Sequence, residues 1–576
     1  MKKSLLTLIT TLLTMTAITA KPQSVTIKLI ETSDVHGAFF PTDYMTGKEA
    51  KGSMARVSTY IKQLRSQYGS DLILLECGDI MQGQPTNYFW NYIKTDDVNI
   101  AASIVNYLRF DAQTFGNHDV ETGHSVYDKW AKDLRCPLLG ANITDNSTGK
   151  PYVQPYTIFK RKGVKIAVIG MLTPGIPNWL TGDLWSGISF ENIVTSAKKW
   201  VKTVREKENP DIIVGLFHSG RQGGITTKAY EENATEAVAR EVPGFDVIFY
   251  GHDHVPFCGE ISNSDGSTHI VDPGSNARQV GECTITVTKK KGKTLDKKIE
   301  TKLTSVDNFD VDEEYMRFFE KDIATLKDYI KRPVGYFDSE VRTRDCFFGP
   351  SSLTDLILQL ELNITGADIA LNAPLLMNTT IAKGPVTVAD MFSLYKYENK
   401  LCIMRMTGKE IKSHLEMSYA IWTNQMKSPD DHILLLDDTK NDGERAGFKY
   451  PFFNFDSAAG IIYEVDVTKP EGEKVRIISM ADGTPFSEGK WYNVAINSYR
   501  ANGGGELITK GAGIPKDSLE GRTVWRSELD QRYYLMKEIE KRGHVNPQPA
   551  KNWKFVPEEY ATPAIERDRK LLFGNN

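Results

Sequence analysis

Residues 28–41 read KLIETSDVHGAFFP. An alternating apolar run stops, Asp34 and His36 follow two residues apart, and Gly37 closes the group. Alone, this pattern means little, because Asp and Gly serve turns for backbone reasons. It gains meaning if the same arrangement recurs at the ends of other strands.

It does recur. Strand-like runs appear as VTIKLIETS (25–33), DLILLECG (71–78), DAQTFG (111–116), VKIAVIG (164–170), DIIVGLF (211–217), FDVIFYG (245–251) and GECTITV (281–287). Their β-branched, nearly continuous apolar character suits sheets buried on both faces. Helical stretches such as SMARVSTYIKQLRSQY (53–68) lie between them, so the region from about 24 to 305 is expected to be a layered α/β domain. Asp79 follows the second run, and Asn117, His118 and Asp119 follow the third. His218 follows DIIVGLF, and His252 and His254 follow FDVIFYG. The carboxyl edge of an open α/β sheet is where ligand sites gather.

Asp34, His36, Asp79, Asn117, His218, His252 and His254 supply oxygen and imidazole ligands and no thiolate. Such a set suits Zn, Mn, Fe(II) or a similar divalent ion. One ion does not need seven ligands, whereas two ions sharing a bridging carboxylate would use them all. Two ions ~3.5–4 Å apart clamp a phosphoryl group. Five of the ten His residues, 36, 118, 218, 252 and 254, fall in these Gly-flanked groups. His124, His269, His414, His432 and His544 lack that context.

The chain has 576 residues, 40% hydrophobic and 25% charged, with a formal net charge of -4. That length allows two or more domains. The charge argues against a nucleic-acid polymer as partner, since backbone binding needs a basic stripe. Residues 1–20, MKKSLLTLITTLLTMTAITA, read as a secretory signal, too short and Thr-rich for a stable span. Losing Lys2 and Lys3 with it leaves 68 basic against 74 acidic residues, net -6. No later segment is long and apolar enough to span a bilayer, so a secreted protein is expected, periplasmic in a Gram-negative cell. The six Cys show no CxxC; Cys258 and Cys283 flank a candidate hairpin and are a candidate disulfide pair.

The ordered set TSDVHG, GD, GNHD, H and GHDH resembles the calcineurin-type metallophosphoesterases. The likeness continues past the metal domain, toward the superfamily of 5′-nucleotidases and 2′,3′-cyclic-nucleotide phosphodiesterases. It implies an α/β/β/α metallophosphoesterase domain joined by a helix to a second α/β domain. The expected divisions are a signal at 1–20, the metal domain at 21–310, a linker helix at 311–333, a specificity domain at 334–545 and a tail at 546–576. The Pro-rich, charged tail is expected to wrap the surface or be loosely ordered. The resemblance puts Asp34, His36 and His254 on one ion, Asn117, His218 and His252 on the other, and Asp79 between them. His118 would stabilise charge near the leaving oxygen, and Asp119 would orient His118 by a hydrogen bond.

Substrate choice belongs to the second domain. Where 5′-nucleotidases resemble Asn-Gly-Gly-Gly-Ile-Arg, this chain runs from Asn372 to Met377, with Met377 at the phosphate-binding Arg. The NAPLL stretch (372–376) looks more like the Ala-Pro-Phe stretch of the 2′,3′-cyclic phosphodiesterase/3′-nucleotidase branch. FFNFD (452–456) resembles that branch's Tyr-Asn-Phe-Asp, with Phe453 at the Tyr. In SYRANGGGE (498–506), Gly505 stands where 5′-nucleotidases place the Asp that grips the ribose diol. A substrate esterified at the 2′ or 3′ oxygen has no free diol. The resemblance thus favours hydrolysis of 2′,3′-cyclic nucleotides and 3′-nucleotides, with Phe453 and Tyr499 stacking the base and Asn372, Arg500 and Gly504 as further substrate-binding candidates. The alternatives are a 5′-nucleotidase or nucleotide-sugar hydrolase, and a secreted nucleotide-binding protein with an idle metal site.

Overall fold

The computed structural model describes residues 21–439 and 447–574. The export segment expected at 1–20 lies outside them. No helix among the described residues is long and apolar enough to cross a membrane.

All seven strand-like runs are strands. They enter two six-stranded sheets. The first runs in the order Lys293–Ser305, Gln279–Lys290, Gln23–Thr32, Leu72–Glu76, Ala112–Thr114 and Leu138–Leu139. The second runs Phe257–Asn263, Gly266–Asp272, Val247–Tyr250, Ile212–His218, Val164–Leu172 and Tyr156–Arg161. Their facing surfaces share one apolar layer, in which Ile27, Leu29, Ile73 and Leu75 meet Ile166, Val168, Val214 and Phe249. Burying each such side chain contributes roughly 1.5–3 kcal/mol, which is why the inward-facing positions of these runs are apolar. Helices cover the outer faces. Met54–Tyr68 packs on the first sheet, capped at Ser53, whose hydroxyl accepts from the Arg56 amide at 3.3 Å. Ile193–Glu208 and Thr235–Glu241 cover the second. The result is the expected α/β/β/α layering.

The stretch expected as one linker helix is two, Glu313–Phe318 and Glu320–Ile330, broken at Phe319. Phe319 is buried against Phe40 and Tyr315. Inserting that ring into the first domain's core breaks the helix that charge periodicity alone predicts. Pro333 then opens the strand Pro333–Phe337.

The second domain is built on a five-stranded sheet ordered Ser457–Ala459, Ile369–Asn372, Trp491–Asn497, Lys400–Thr407 and Thr523–Asp530. Helix Gly408–Trp422 packs on it behind a reciprocal cap: the Thr407 hydroxyl accepts from the Glu410 amide, and the Glu410 carboxylate accepts from the Thr407 amide. The tail corrects the expectation of loose order. Trp553–Val556 pairs in parallel with Ile461–Asp466, and helix Glu558–Phe573 places Ala561 and Ala564 in the domain core. Trp553 and Phe555, buried in the domain core, carry that docking.

The candidate disulfide is also corrected. All six Cys are free thiols. Cys283 points into the layer between the sheets, while the exposed Cys258 donates to the Thr301 hydroxyl at 3.3 Å.

Candidate metal centre and the facing pocket

Parallel pairing brings the ligand-bearing strand ends level. Thr32 lies opposite Glu76, Glu76 opposite Gln113, and Phe217 opposite Tyr250. Asp34, Asp79 and Asn117 therefore leave the first sheet at the edge where His218, His252 and His254 leave the second. Backbone bonds fix the loops: the Asp34 amide donates to the Gly78 carbonyl and the His36 amide to the Asp79 carbonyl, each at 3.0 Å.

Two ligand groups result, Asp34–His36–His254 and Asp79–His218–His252. Asp34 Oδ1 lies 3.3 Å from His254 Nε2, 3.9 Å from His36 Nε2 and 4.0 Å from His218 Nε2. Asp79 Oδ2 lies 3.2 Å from His218 Nε2 and 4.0 Å from His36 Nε2, so it sits between the groups. Asn117 Oδ1 is 3.1 Å from His218 Nε2. Asp34 Oδ2 accepts from the Ser33 hydroxyl and the His252 amide, whereas Oδ1 is buried without a hydrogen-bond partner. A buried, unsatisfied carboxylate oxygen aimed at three imidazoles fits a cation.

Electrostatics agree. Burial opposes ionisation of Asp79, but the neighbouring His218 and His118 more than offset it and hold the carboxyl well below its ordinary range. Asp34 is likewise lowered against its burial, by His218 and His254. Burial, reinforced by His254, pushes His36 down to about 3. His218 stands apart: burial opposes its charge, yet Asp79 and Asp34 raise it to about 10. Desolvated carboxylates that stay ionised are what a metal site requires.

The backbone is strained where it matters. Asp34, His36, Asp79, His252 and His254 all have φ between 47° and 90°. Each such residue costs of order 1–3 kcal/mol, tolerated where function fixes the geometry. Glycines let the loops close. A Cβ at Gly251 would lie 1.9 Å from Ser33 Oγ, and one at Gly116 would lie 2.0 Å from Asp79 Oδ1. Gly116→Ala is therefore expected to displace Asp79, lowering bound metal per chain by elemental analysis and the midpoint of thermal unfolding together. Overpacking of this kind costs roughly 1–3 kcal/mol. A variant with full metal content would refute the tight fit.

Outer contacts orient the imidazoles. His218 Nδ1 is 2.7 Å from the Cys77 carbonyl. His252 Nε2 is 3.0 Å from Glu232 Oε1. His118 sits beside His36, ring centroids 5.5 Å apart, and its amide donates to Asp79 Oδ1 at 2.8 Å. The expected Asp119 contact is corrected. Glu121 Oε2 lies 2.5 Å from His118 Nδ1. The Asp119 carboxylate instead accepts four backbone amides, from Asp79, Ile80, Met81 and Gly116, at 2.8–3.1 Å. Asp119 thus pins the Asp79 loop to the helix Asn117–Glu121. Sequence reading missed Glu121 and Glu232. The i, i+3 spacing of His118 and Glu121 on a helix was the available signal for the first; nothing in the run YEENATE marks the second.

The second domain faces this edge. Tyr397 lies parallel to His118, planes 9° apart and centroids 6.4 Å apart. Gln82 donates to Glu398 at 3.3 Å, and Tyr88 donates to Asp530 at 2.8 Å. Phe453 and Tyr499 are half-buried neighbours, 6.1 Å apart and nearly perpendicular. Gly504 backs the Tyr499 ring, where a Cβ would lie 2.4 Å from a ring carbon. Two other candidates are corrected as ligand contacts. Asn372 is buried, with its amide on Glu361 and its carbonyl taking the Ala373 amide. Arg500 is buried in an ion pair with Asp456. Gly504 serves as the backing of Tyr499, and its carbonyl accepts from Arg500.

Comparison with known proteins agrees with this geometry. The calcineurin-like phosphoesterase family matches residues 27–256, and the 5′-nucleotidase C-terminal domain matches residues 323–510. The chain is 24% identical over 620 residues to a Yersinia enterocolitica 2′,3′-cyclic-nucleotide 2′-phosphodiesterase/3′-nucleotidase, covering 96% of this chain and 91% of that one. It is 26% identical over 598 residues to the trifunctional nucleotide phosphoesterase protein YfkN of Bacillus subtilis. That likeness covers 93% of this chain but 39% of the longer relative. The solved 5′-nucleotidase precursor of Thermus thermophilus shares the fold, with TM-score 0.64, 20% identity, and coverage of 93% of this chain and 100% of that chain. Two strand-end ligand groups on an α/β/β/α domain, followed by that second domain, make this chain a member of the calcineurin-like phosphoesterases that carry a 5′-nucleotidase C-terminal domain, and so a metal-dependent hydrolase of phosphoric esters.

Proposed function

We propose that the chain is exported and hydrolyses 2′,3′-cyclic nucleotides and 3′-nucleotides to nucleosides and phosphate with two divalent ions such as Zn²⁺ or Mn²⁺. Asp34, His36 and His254 would hold one ion, Asn117, His218 and His252 the other, and Asp79 would bridge them. When bound, such ions would supply Lewis acidity toward the phosphoryl oxygens and toward a water. The protein groups position and move protons. Glu121 engages Nδ1 of His118, which leaves Nε2 as the nitrogen that would hold the proton for the departing ribose oxygen. Glu232 and the Cys77 carbonyl fix the tautomers of His252 and His218. Phe453 and Tyr499 would take the base, with one face of Tyr499 already backed by Gly504.

One observation carries the substrate choice. A Cβ at Gly505 would lie 2.1 Å from Asn454 Oδ1 and 2.4 Å from Arg500 Nη1, so the pocket has no room for a diol-gripping carboxylate there. Met377 supports it, because it packs into the apolar cluster of Phe452 and Phe455 rather than offering a cation. The second reading, a 5′-nucleotidase, draws on the match of the C-terminal domain. A product assay separates the two, with 2′,3′-cyclic AMP, 3′-AMP and 5′-AMP offered to the Mn²⁺-loaded mature protein. Turnover of the first two with 5′-AMP spared is expected. Turnover of 5′-AMP with the cyclic ester untouched would establish the second reading instead.

A further inference from the structure

Beneath the pocket lies a buried ionic knot with no part in the metal chemistry. Arg500, Asp456 and His414 are each at most 2% exposed. Arg500 Nε and Nη2 donate to the two oxygens of Asp456, both at 2.9 Å. Nη2 also donates to the Phe453 carbonyl at 3.0 Å. Nη1 donates to Asn454 Oδ1 at 3.0 Å and to the Gly504 carbonyl at 2.7 Å. A guanidinium has five N–H donors, and these five bonds use all of them. His414, on helix Gly408–Trp422, brings Nε2 to 2.8 Å from Asp456 Oδ2.

Three segments meet in this knot: the turn bearing Phe453, the turn bearing Tyr499 and Gly504, and the helix behind them. Arg500 has no hydrogen left for a ligand, yet it grips the backbone of one pocket aromatic and of the glycine behind the other. The Nη1–Asn454 contact also fills the space into which a side chain at 505 would grow. A bidentate guanidinium–carboxylate pair fixes direction as well as distance, which a lysine cannot reproduce.

We propose that Arg500, oriented by Asp456 and His414, is the positioning residue of the substrate pocket. It sets the separation of Phe453 and Tyr499 and closes position 505 to a carboxylate, selecting esters whose 2′ or 3′ oxygen is already substituted. This inference rests on the pocket reading under "Proposed function".

The test uses the metal-loaded mature chain and two probes, 2′,3′-cyclic AMP and bis(p-nitrophenyl) phosphate, which carries neither base nor ribose. Arg500→Lys is expected to raise KM for the cyclic nucleotide about tenfold, within the range given by losing one stacked base. The kcat should hold, and the constants for the p-nitrophenyl ester should stay near those of the parent. Asn454→Ala removes one acceptor and leaves every charge in place, so it carries the test if Arg500→Lys does not fold. An unchanged KM for the cyclic nucleotide in a folded variant overturns the proposal, as does an equal loss on both probes, which would mark the knot as a fold element alone. Tyr499→Ala separates the two levels. If it raises KM while the knot variants do not, only the positioning role fails. If it leaves KM unchanged, the pocket reading fails and takes the proposal with it.

Discussion

Replacing Asp79 with Asn is expected to halve the bound metal or worse and to lower kcat/KM on the order of a thousandfold. The substitution keeps the shape and an acceptor at Oδ1 for the His118 amide. It removes the charge on the oxygen that faces His218 at 3.2 Å and His36 at 4.0 Å. Asp34 Oδ1 also faces the second group, 4.0 Å from His218 Nε2, but Asp79 Oδ2 comes nearer to that imidazole, at 3.2 Å. Two ions in close proximity repel, and a single bridging anion is the cheapest way to screen that repulsion. The several kcal/mol of charge stabilisation a metal supplies corresponds to about three decades at roughly 1.4 kcal/mol each. Elemental analysis of the purified variant and a rate with bis(p-nitrophenyl) phosphate check both halves. Two ions per chain with near-parental turnover would show that Asp79 does not bridge.

The candidate metal edge was legible because its residues are set by local rules that repeat. A strand that ends in a ligand needs a following turn, the turn needs glycine, and the ligand types are few. Asp34, His36, Asp79, Asn117, His218, His252 and His254 each carry that signature in the chain itself. Their meeting required parallel register across two sheets, which apolar continuity predicts. The pocket was less legible, since its parts act through tertiary contacts. Arg500 reads as a substrate-binding candidate, but Asp456, 44 positions away, draws it inward. Asn372 reads as a ligand and is instead held by Glu361 on the neighbouring helix. Asp119 stands next to His118 in sequence, yet a helix turns adjacent side chains to different sides, and the residue three further on reaches the imidazole. Of the two expectations for the tail, loose order was wrong for a related reason: Pro and charge dominate its composition, whereas two aromatics decide its docking.

Replacing His118 with Ala is expected to lower kcat for 2′,3′-cyclic AMP by about two to four decades while metal content stays at the parental value. His118 is not in either ligand group, so its loss leaves both donor sets whole. On the proposed reading, what it would remove is the protonated nitrogen for the departing alkoxide. The size of the loss should therefore depend on how much help the leaving group needs. A ribose oxygen is a poor leaving group and needs its proton; a nitrophenolate leaves readily without one. The same variant should lose far less on bis(p-nitrophenyl) phosphate than on the nucleotide. Glu121→Gln should fall between, because it keeps a hydrogen-bond partner at Nδ1 but removes the charge that stabilises the protonated ring. Asp119→Asn tests the other half of the correction: because Asp119 accepts only backbone amides among its contacts described above, it should disturb metal loading through the Asp79 loop rather than the leaving-group dependence. Equal losses of His118→Ala on both esters would remove the proton from its role and leave the imidazole as an electrostatic support for the phosphoryl group.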